Sequence, residues 1–333
     1  MSRDKRVSLI RQIEAARSSR VICYVTGDRA PFTAHIAEDA VRILRKHCET
    51  FRTIGKIDMF LYSRGGDMVA PLRIVRMIRE HCRVFGVLVP YRAHSAATSI
   101  ALGADEIVMG KAGELSPVDP TTGHPFNPQD PNNPKQRIPI SVEDVTSYFL
   151  LAKEQAGLRD DQMVTVLNEL ANKVNPLALG NVYRAYRMAR LLTEKLLSLH
   201  MDARRERKKI QAIVEHLTEK LCIHAYPITR AEAQAEIGLK VIKPDAGLEN
   251  TMWSLYESYE EEMKLTEPFE PARLLADEKV KTVEVPAAFI ESRDASDMFL
   301  FTADIRSVEQ TPGQVAVNLN AIGWRSLGRK GDG

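Results

Sequence analysis

Residues 57–109 read IDMFLYSRGGDMVAPLRIVRMIREHCRVFGVLVPYRAHSAATSIALGADEIVM, and their periodicity decides the fold. Short apolar runs at Ile57–Tyr62, Val84–Val89 and Glu106–Met109 alternate with helical patterns at Met68–Glu80 and Ser95–Leu102. Runs that are almost wholly apolar suit strands buried on both faces, and the amphipathic segments between them suit helices covering those faces. A parallel α/β sheet follows. The alternation continues upstream, with a helix around Leu9–Ala16, a strand at Val21–Val25 and a helical pattern over Ala37–Cys48.

Downstream the texture changes. The stretch SPVDPTTGHPFNPQDPNNPKQRIPI within Gly113–Ile140 carries seven prolines, which forbid regular helix or central strand. Such a long irregular segment is commonly functional or disordered. Helical periodicity returns from Val142 to Leu221, with Pro176 opening a long helix whose Val182, Tyr186, Ala189, Leu192 and Leu196 recur at three and four. The basic run Arg204–Lys209 reads as a solvated helix face. In Pro227–Leu239, Thr229 with Glu232 makes a capping box and Gly238 a helix stop. An acidic helix around Ser254–Lys264 and a Pro/Glu-rich boundary at Glu267–Pro271 lead to a tail, Thr282–Trp324, with strand-like runs at Met298–Ala303 and Gln314–Ala321. That tail reads as a small β-rich appendage.

Composition excludes several classes. The chain has 333 residues, enough for about two average domains. Its 46 basic and 44 acidic residues leave a formal charge of +2, without the basic excess of a nucleic-acid binder. Aromatic residues make up 6%, too few for a stacking platform. Cys23, Cys48, Cys82 and Cys222 lie far apart with no CxxC pair, which argues against a zinc ribbon or a disulfide scaffold and for a reducing compartment. The N-terminal MSRDKRVSLIRQIEAARSSR lacks a signal-peptide apolar core, and no apolar run is long enough for a membrane span. A cytoplasmic protein is expected, with no stable membrane insertion and no nucleic-acid partner.

Two segments could carry chemistry. Ser63-Arg64-Gly65-Gly66-Asp67 lies between a strand and a helix, where paired glycines let backbone N–H groups turn outward toward an anion. The GxGxxG spacing is absent, and Gly103…Gly110-Lys111-Ala112 has the wrong spacing for a P-loop, so ATPase activity is excluded. The second segment is Ala93-His94-Ser95-Ala96-Ala97-Thr98-Ser99. A serine at the mouth of a small-residue helix has room for a substrate carbonyl and a favourable dipole, although a plain helix cap explains it too. His94, adjacent to Ser95, points elsewhere and is a poor base.

Together these segments resemble the Clp protease and crotonase superfamily, and within it the serine dehydrogenase proteinase family. The matching stretches are LYSRGGDMVAPLRIVRMIREH (61–81), VPYRAHSAATSIALGADEIVMGKAGELSPVDP (89–120), NPLALGNVYRAYRMARLL (175–192) and HAYPITRAEAQAEIGLKVI (224–242). The resemblance implies a Clp-like spiral of ββα units with a long helical segment. It divides the chain into a serine peptidase domain, residues 1–245, and a C-terminal segment, 246–333, that it does not cover. It makes Ser95 the nucleophile, and Gly65, Gly66 and the Ala96 N–H the oxyanion hole. Asp119 and His224 complete a triad in the order Ser, Asp, His, with His224 as base and Asp119 orienting it. No cofactor or metal is implied. Partners would be a peptide or unfolded protein substrate and further copies of the chain in a homo-oligomer.

Peptidase A-type relatives use a Ser–Lys dyad, and Glu143 or Asp144 falls near the place of that lysine. Lys135, Lys111 and His124 therefore stay open as alternative bases. A crotonase-like acyl-CoA enzyme and a catalytically silent scaffold are the competing functions.

Overall fold

The computed structural model describes residues 3–51, 54–221, 223–308 and 314–329; Cys222 lies outside them. Contacts divide the chain into two compact units, Met1–Leu115 with Ile228–Gly333, and Ser116–Pro227. The first unit opens with α1 (Arg3–Arg17), β1 (Arg20–Thr26), α2 (Asp39–Thr50), β2 (Ile54–Tyr62) and α3 (Ala70–Arg79). It continues through β3 (Cys82–Val89), β4 (Arg92–Ala93), α4 (Ala96–Leu102), β5 (Glu106–Met109) and β6 (Glu114–Leu115).

The second unit holds β7 (Thr121–Thr122), β8 (Ile140–Ser141), α5 (Val142–Leu150), α6 (Met163–Lys173), α7 (Pro176–Leu197) and α8 (Arg207–Glu215). Single π-helical turns, Leu151–Gln155 and His216–Lys220, extend α5 and α8. The chain then returns to the first unit with β9 (Ile228–Thr229), α9 (Arg230–Ala235), β10 (Val241–Ile242), α10 (Ala246–Met263) and α11 (Pro271–Leu275). Three long strands close it: β11 (Val280–Glu291), β12 (Ala295–Ser307) and β13 (Val315–Arg329).

The main sheet has eight strands in the order β10-β5-β3-β2-β1-β11-β12-β13. The first five run parallel, four of them as the apolar runs predict and β10 added at the edge beside β5. The C-terminal β-rich segment extends the same sheet, because β11 pairs antiparallel with β1, Cys23 opposite Glu291 and Thr26 opposite Ala288. One face of β1, carrying Val21, Cys23 and Val25, packs under α1 and α10 through Leu9, Ile13, Met252 and Tyr259. Alternation along the strand sends Ile22 and Tyr24 to the opposite face, where they are fully buried. Neighbouring helices α2, α3 and α4 pack in sequence on that side. Each fully buried Leu or Ile here contributes about 1.5–3 kcal/mol of transfer free energy.

Several polar groups within this core are paired. Arg6 binds Glu291 through Nε at 2.7 Å, and Glu291 also accepts from Tyr259 Oη at 2.8 Å and Ser296 Oγ at 2.6 Å. Helix starts follow the chemistry expected of them. Thr229 caps α9 by accepting from the Glu232 N–H, and Asn175 accepts from the Leu177 N–H ahead of Pro176 at the head of α7.

The proline-rich segment of the second unit contains a two-stranded ladder. Thr121 lies opposite Ser141 and Thr122 opposite Ile140. Asn127 ties the segment together, donating to the carbonyls of Thr122 and Ile138 at 2.8 and 3.0 Å. Among the described residues, no helix is long and apolar enough to cross a membrane.

Candidate active site

In the first unit, β2 runs out at Tyr62 and the chain is carried onward by backbone pairing. Ser63 bridges Ala93 in parallel, its N–H donating to Arg92 O at 2.9 Å and its carbonyl accepting from His94 N–H at 3.0 Å. Gly66 bridges Ile36 in the same sense: Ile36 N–H donates to Gly65 O and Asp67 N–H to Ile36 O. In such a parallel bridge the central residue's own N–H points to the opposite edge. The Gly66 N–H has no acceptor among the described residues. The Gly65 N–H is engaged, donating to Ser63 Oγ at 3.0 Å, and Ser63 Oγ in turn accepts from Thr26 Oγ1 at 2.7 Å. Of the two glycines, Gly66 is thus the one with a donor to offer.

Both glycines are conformationally required. Gly65 has φ +112°, and a Cβ there would meet Ser95 Cβ at 2.8 Å and Ser95 Oγ at 3.2 Å. A Cβ on Gly66 would lie 2.2 Å from Ile36 O. Ser95 itself sits at φ 51°, ψ −111°, at the head of the seven-residue α4, and its hydroxyl makes no cap hydrogen bond. A non-glycine residue held there costs about 1–3 kcal/mol, and such strain concentrates at functional sites. The simple helix-cap explanation of Ser95 therefore fails. Ala96 is the first residue of α4, so its N–H has no partner within the helix.

The neighbours of Ser95 are held in place. His94 is buried, its Nε2 3.1 Å from Glu114 Oε1, and burial lowers its pKa. Thr98 donates to Ala93 O at 2.7 Å, while Ser99 is only half-buried. Lys111 lies beyond β5, its backbone N–H donating to Glu249.

In the second unit, His224 and Asp119 meet although 105 positions separate them. His224 Nδ1 lies 2.8 Å from Asp119 Oδ1, with the histidine side chain 46% exposed and the aspartate 7%. The bond to Asp119 raises the pKa of His224 above its ordinary value. Donation from Nδ1–H leaves Nε2 as the basic nitrogen once the ring is neutral. Glu143, in the first turn of α5, is hydrogen-bonded to Asp119; burial and the Asp119 charge push its carboxyl up to about 7. His124 accepts from the Phe126 N–H at 3.3 Å within its own loop, and Lys135 is exposed. Helices α5, α6 and α7 surround a largely apolar cavity of about 490 Å³, with Val142, Phe149, Leu167 and Tyr186 among its lining. Among the described residues, no cluster of His, Cys, Asp or Glu gathers as metal ligands.

A Ser–His–Asp grouping within the first unit has a different character. His47 Nδ1 lies 3.0 Å from Ser292 Oγ and Nε2 3.0 Å from Asp297 Oδ2, with the imidazole fully buried and Ser292 1% exposed. It pins α2 to the turn between β11 and β12, where no substrate can reach.

The family model of the ClpP-like SDH-type serine proteinases matches residues 1–176. The chain belongs to that family. Two uncharacterized proteins of Methanocaldococcus jannaschii are 28% and 27% identical to it over 269 and 266 residues. Those alignments cover 78% of this chain each, and 80% and 78% of the respective relatives. A solved structure of the 1510-N membrane-bound stomatin-specific protease, a serine-to-alanine mutant, aligns with 17% identity over 64% of this chain and 76% of its own, at a TM-score of 0.38.

For this SDH-type proteinase the α/β Clp-like fold expected from the sequence stands. Three supports of these residues have no evident mark in the sequence. Ile36 pairs with the glycine turn through backbone alone, and Thr26 and Ser63 form a hydroxyl relay beneath it. The sequence marks Glu143 only as an occupant of a lysine's place.

Proposed function

We propose that this SDH-type proteinase is a serine endopeptidase with Ser95 as nucleophile, His224 as general base and Asp119 as the residue that orients and charge-stabilises His224. His224 Nε2 takes the Ser95 hydroxyl proton as Oγ attacks the scissile carbonyl. The tetrahedral oxyanion is received at the Gly65-Gly66 turn, through the Gly66 N–H, and by the Ala96 N–H. His224 then returns its proton to the leaving amine, and water, activated by the same imidazole, releases the acyl-enzyme.

The observation that carries this reading is the conformation of Ser95. Its strained backbone, its uncapping hydroxyl and the glycine pressed against it serve no purpose in a structural turn. The 2.8 Å Asp119–His224 contact supplies an oriented imidazole in the chain order that the family resemblance implies.

The substrate on this reading is an extended peptide or unfolded protein. The working form is a cytoplasmic homo-oligomer, with residues 1–245 as the peptidase region and 246–333 as the segment that completes the sheet. Labelling with a fluorophosphonate, followed by mass-spectrometric mapping, tests the assignment. Label on Ser95, with loss of peptide hydrolysis in Ser95→Ala, is the expected result. Full hydrolysis by Ser95→Ala would refute it, and an unlabelled Ser95 would favour the acyl-CoA or scaffold alternatives.

A further inference from the structure

The ladder that opens the second unit has a consequence at its open end. Thr122 faces Ile140, Thr121 faces Ser141, and the Val142 N–H donates to Pro120 O at 3.3 Å. The ladder ends there and α5 begins, and the Val142–Pro120 bond brings the first turn of α5, with Glu143 on it, up to the chain at Asp119. Ser141 Oγ already accepts the Asp144 N–H at 2.9 Å, so the first turn of α5 is capped without Glu143. The Glu143 carboxyl is turned instead to Asp119, the residue that holds His224. Two carboxyl groups in hydrogen-bond contact cannot both be ionised without repulsion, so one proton is shared between them.

We propose that Glu143 is a positioning residue of this site, which as a neutral acid donates a hydrogen bond to the Asp119 carboxylate and thereby fixes the group that orients His224. The inference rests on the roles proposed above for Asp119 and His224. It adds a pH-sensitive element to them. When Glu143 loses its proton, the bond to Asp119 loses its donor and a second negative charge faces the imidazole, which favours imidazolium and suppresses the base.

The groups acting on Glu143 are few. Asp119 and His224 face it from the chain before β7 and after α8, and Asp144 lies beside it on α5. From α7, which also packs on α5, the cavity wall presents Leu179, Val182, Tyr183 and Tyr186. The strands β7 and β8 contribute Thr122, Ile140 and Ser141, none of them charged. Burial is the first cause of its raised pKa, Asp119 adds to it in the same direction, and His224 opposes it.

Titrating the His224 ring by NMR in the full chain tests the idea without any need for turnover. Glu143→Gln keeps a donor to Asp119 and removes the charge, so the His224 midpoint should move to lower pH. Any broadening of its curve from Glu143 ionisation should vanish. In hydrolysis, Glu143→Gln should keep its plateau kcat and shift the acid limb of the pH profile downward, whereas Glu143→Ala should lower kcat across the range. Superimposable His224 titrations in wild type, Glu143→Gln and Glu143→Ala would overturn the proposal. A moved titration upholds it even if Ser95→Ala proves fully active, an outcome that would sink only the peptidase reading.

Discussion

Gly65 and Ser95 are packed so closely that a methyl group on the glycine would come within 2.8 Å of the serine Cβ. The contact sets the floor of the Ser95 environment, and glycine is demanded twice, by space and by φ +112°. Gly65→Ala should therefore displace Ser95 and cut kcat/KM by at least the about 10²–10³-fold seen on losing an oxyanion donor. Fluorophosphonate labelling rate and far-UV CD, read together, check this: labelling should collapse while the fold persists. Wild-type labelling of Gly65→Ala would show that the contact has no bearing on the serine.

Gly66→Ala should behave differently. The added methyl would meet the backbone of Ile36, with its carbonyl oxygen at 2.2 Å and its nitrogen at 2.6 Å, so strand pairing itself must give way. Loss of stability is expected along with loss of activity, measured as a lowered denaturation midpoint. A Gly66→Ala protein as stable as wild type would mean the Ile36 bridge is not needed.

The pH dependence follows from Asp119. Its hydrogen bond favours the protonated imidazole and raises the His224 pKa above the ordinary 6.5. In the proposed role of general base His224 must be neutral, so kcat/KM should rise with pH through a midpoint above that value. Asp119→Asn removes the charge and the strong acceptor, so the His224 midpoint should fall while the rate drops, by about 10⁴-fold where the triad template applies. The ring titration and the rate profile should report the same midpoint. An Asp119→Asn midpoint at or above wild type would contradict this account.

How much of this was legible in the sequence differs with distance along the chain. The parallel strands and the Gly-Gly and Ser95 segments could be read because strand, turn and helix are consecutive there, and periodicity is a local signal. The union of Asp119 with His224 spans 105 positions, and nothing local to either residue announces it; the family's chain order did. Prolines concealed the Thr121–Ser141 ladder, since they argue against regular strand, and with it the position of Glu143. Likewise, nothing local to β11 names β1 as its partner, which is chosen by the Glu291 side chain reaching Arg6 and by the Phe289 ring packed beside Tyr259.

The buried His47 grouping makes a negative prediction with a positive counterpart. Ser292 has the same kinds of partners as a catalytic serine but 1% exposure, so a fluorophosphonate should never label it in the native protein. His47→Ala should instead destabilise, because it leaves Asp297 and Ser292 unpaired in the interior, at about 1–3 kcal/mol for each group. Denaturant titration of His47→Ala, with labelling of Ser95 retained in the folded fraction, separates the two histidine sites. Label on Ser292 in native protein would reverse the assignment.

Arg6 and Glu291 join the first helix to β11, the strand that adds the C-terminal segment to the sheet. Their side chains are 3% and 2% exposed, and the glutamate also receives Tyr259 and Ser296. A buried pair of this kind adds little over an apolar substitute, because desolvation offsets most of the Coulombic attraction. Breaking it from one side is another matter, since Arg6→Ala leaves an anion in the core with only hydroxyl partners and costs about 3–5 kcal/mol. Arg6→Met with Glu291→Leu removes both charges and should recover most of that loss. The unfolding free energies of the single and double variants decide the matter. A single variant within about 1 kcal/mol of wild type, the range of an exposed pair, would mean that water reaches the pair and that β11 is held by its ladder with β1 alone.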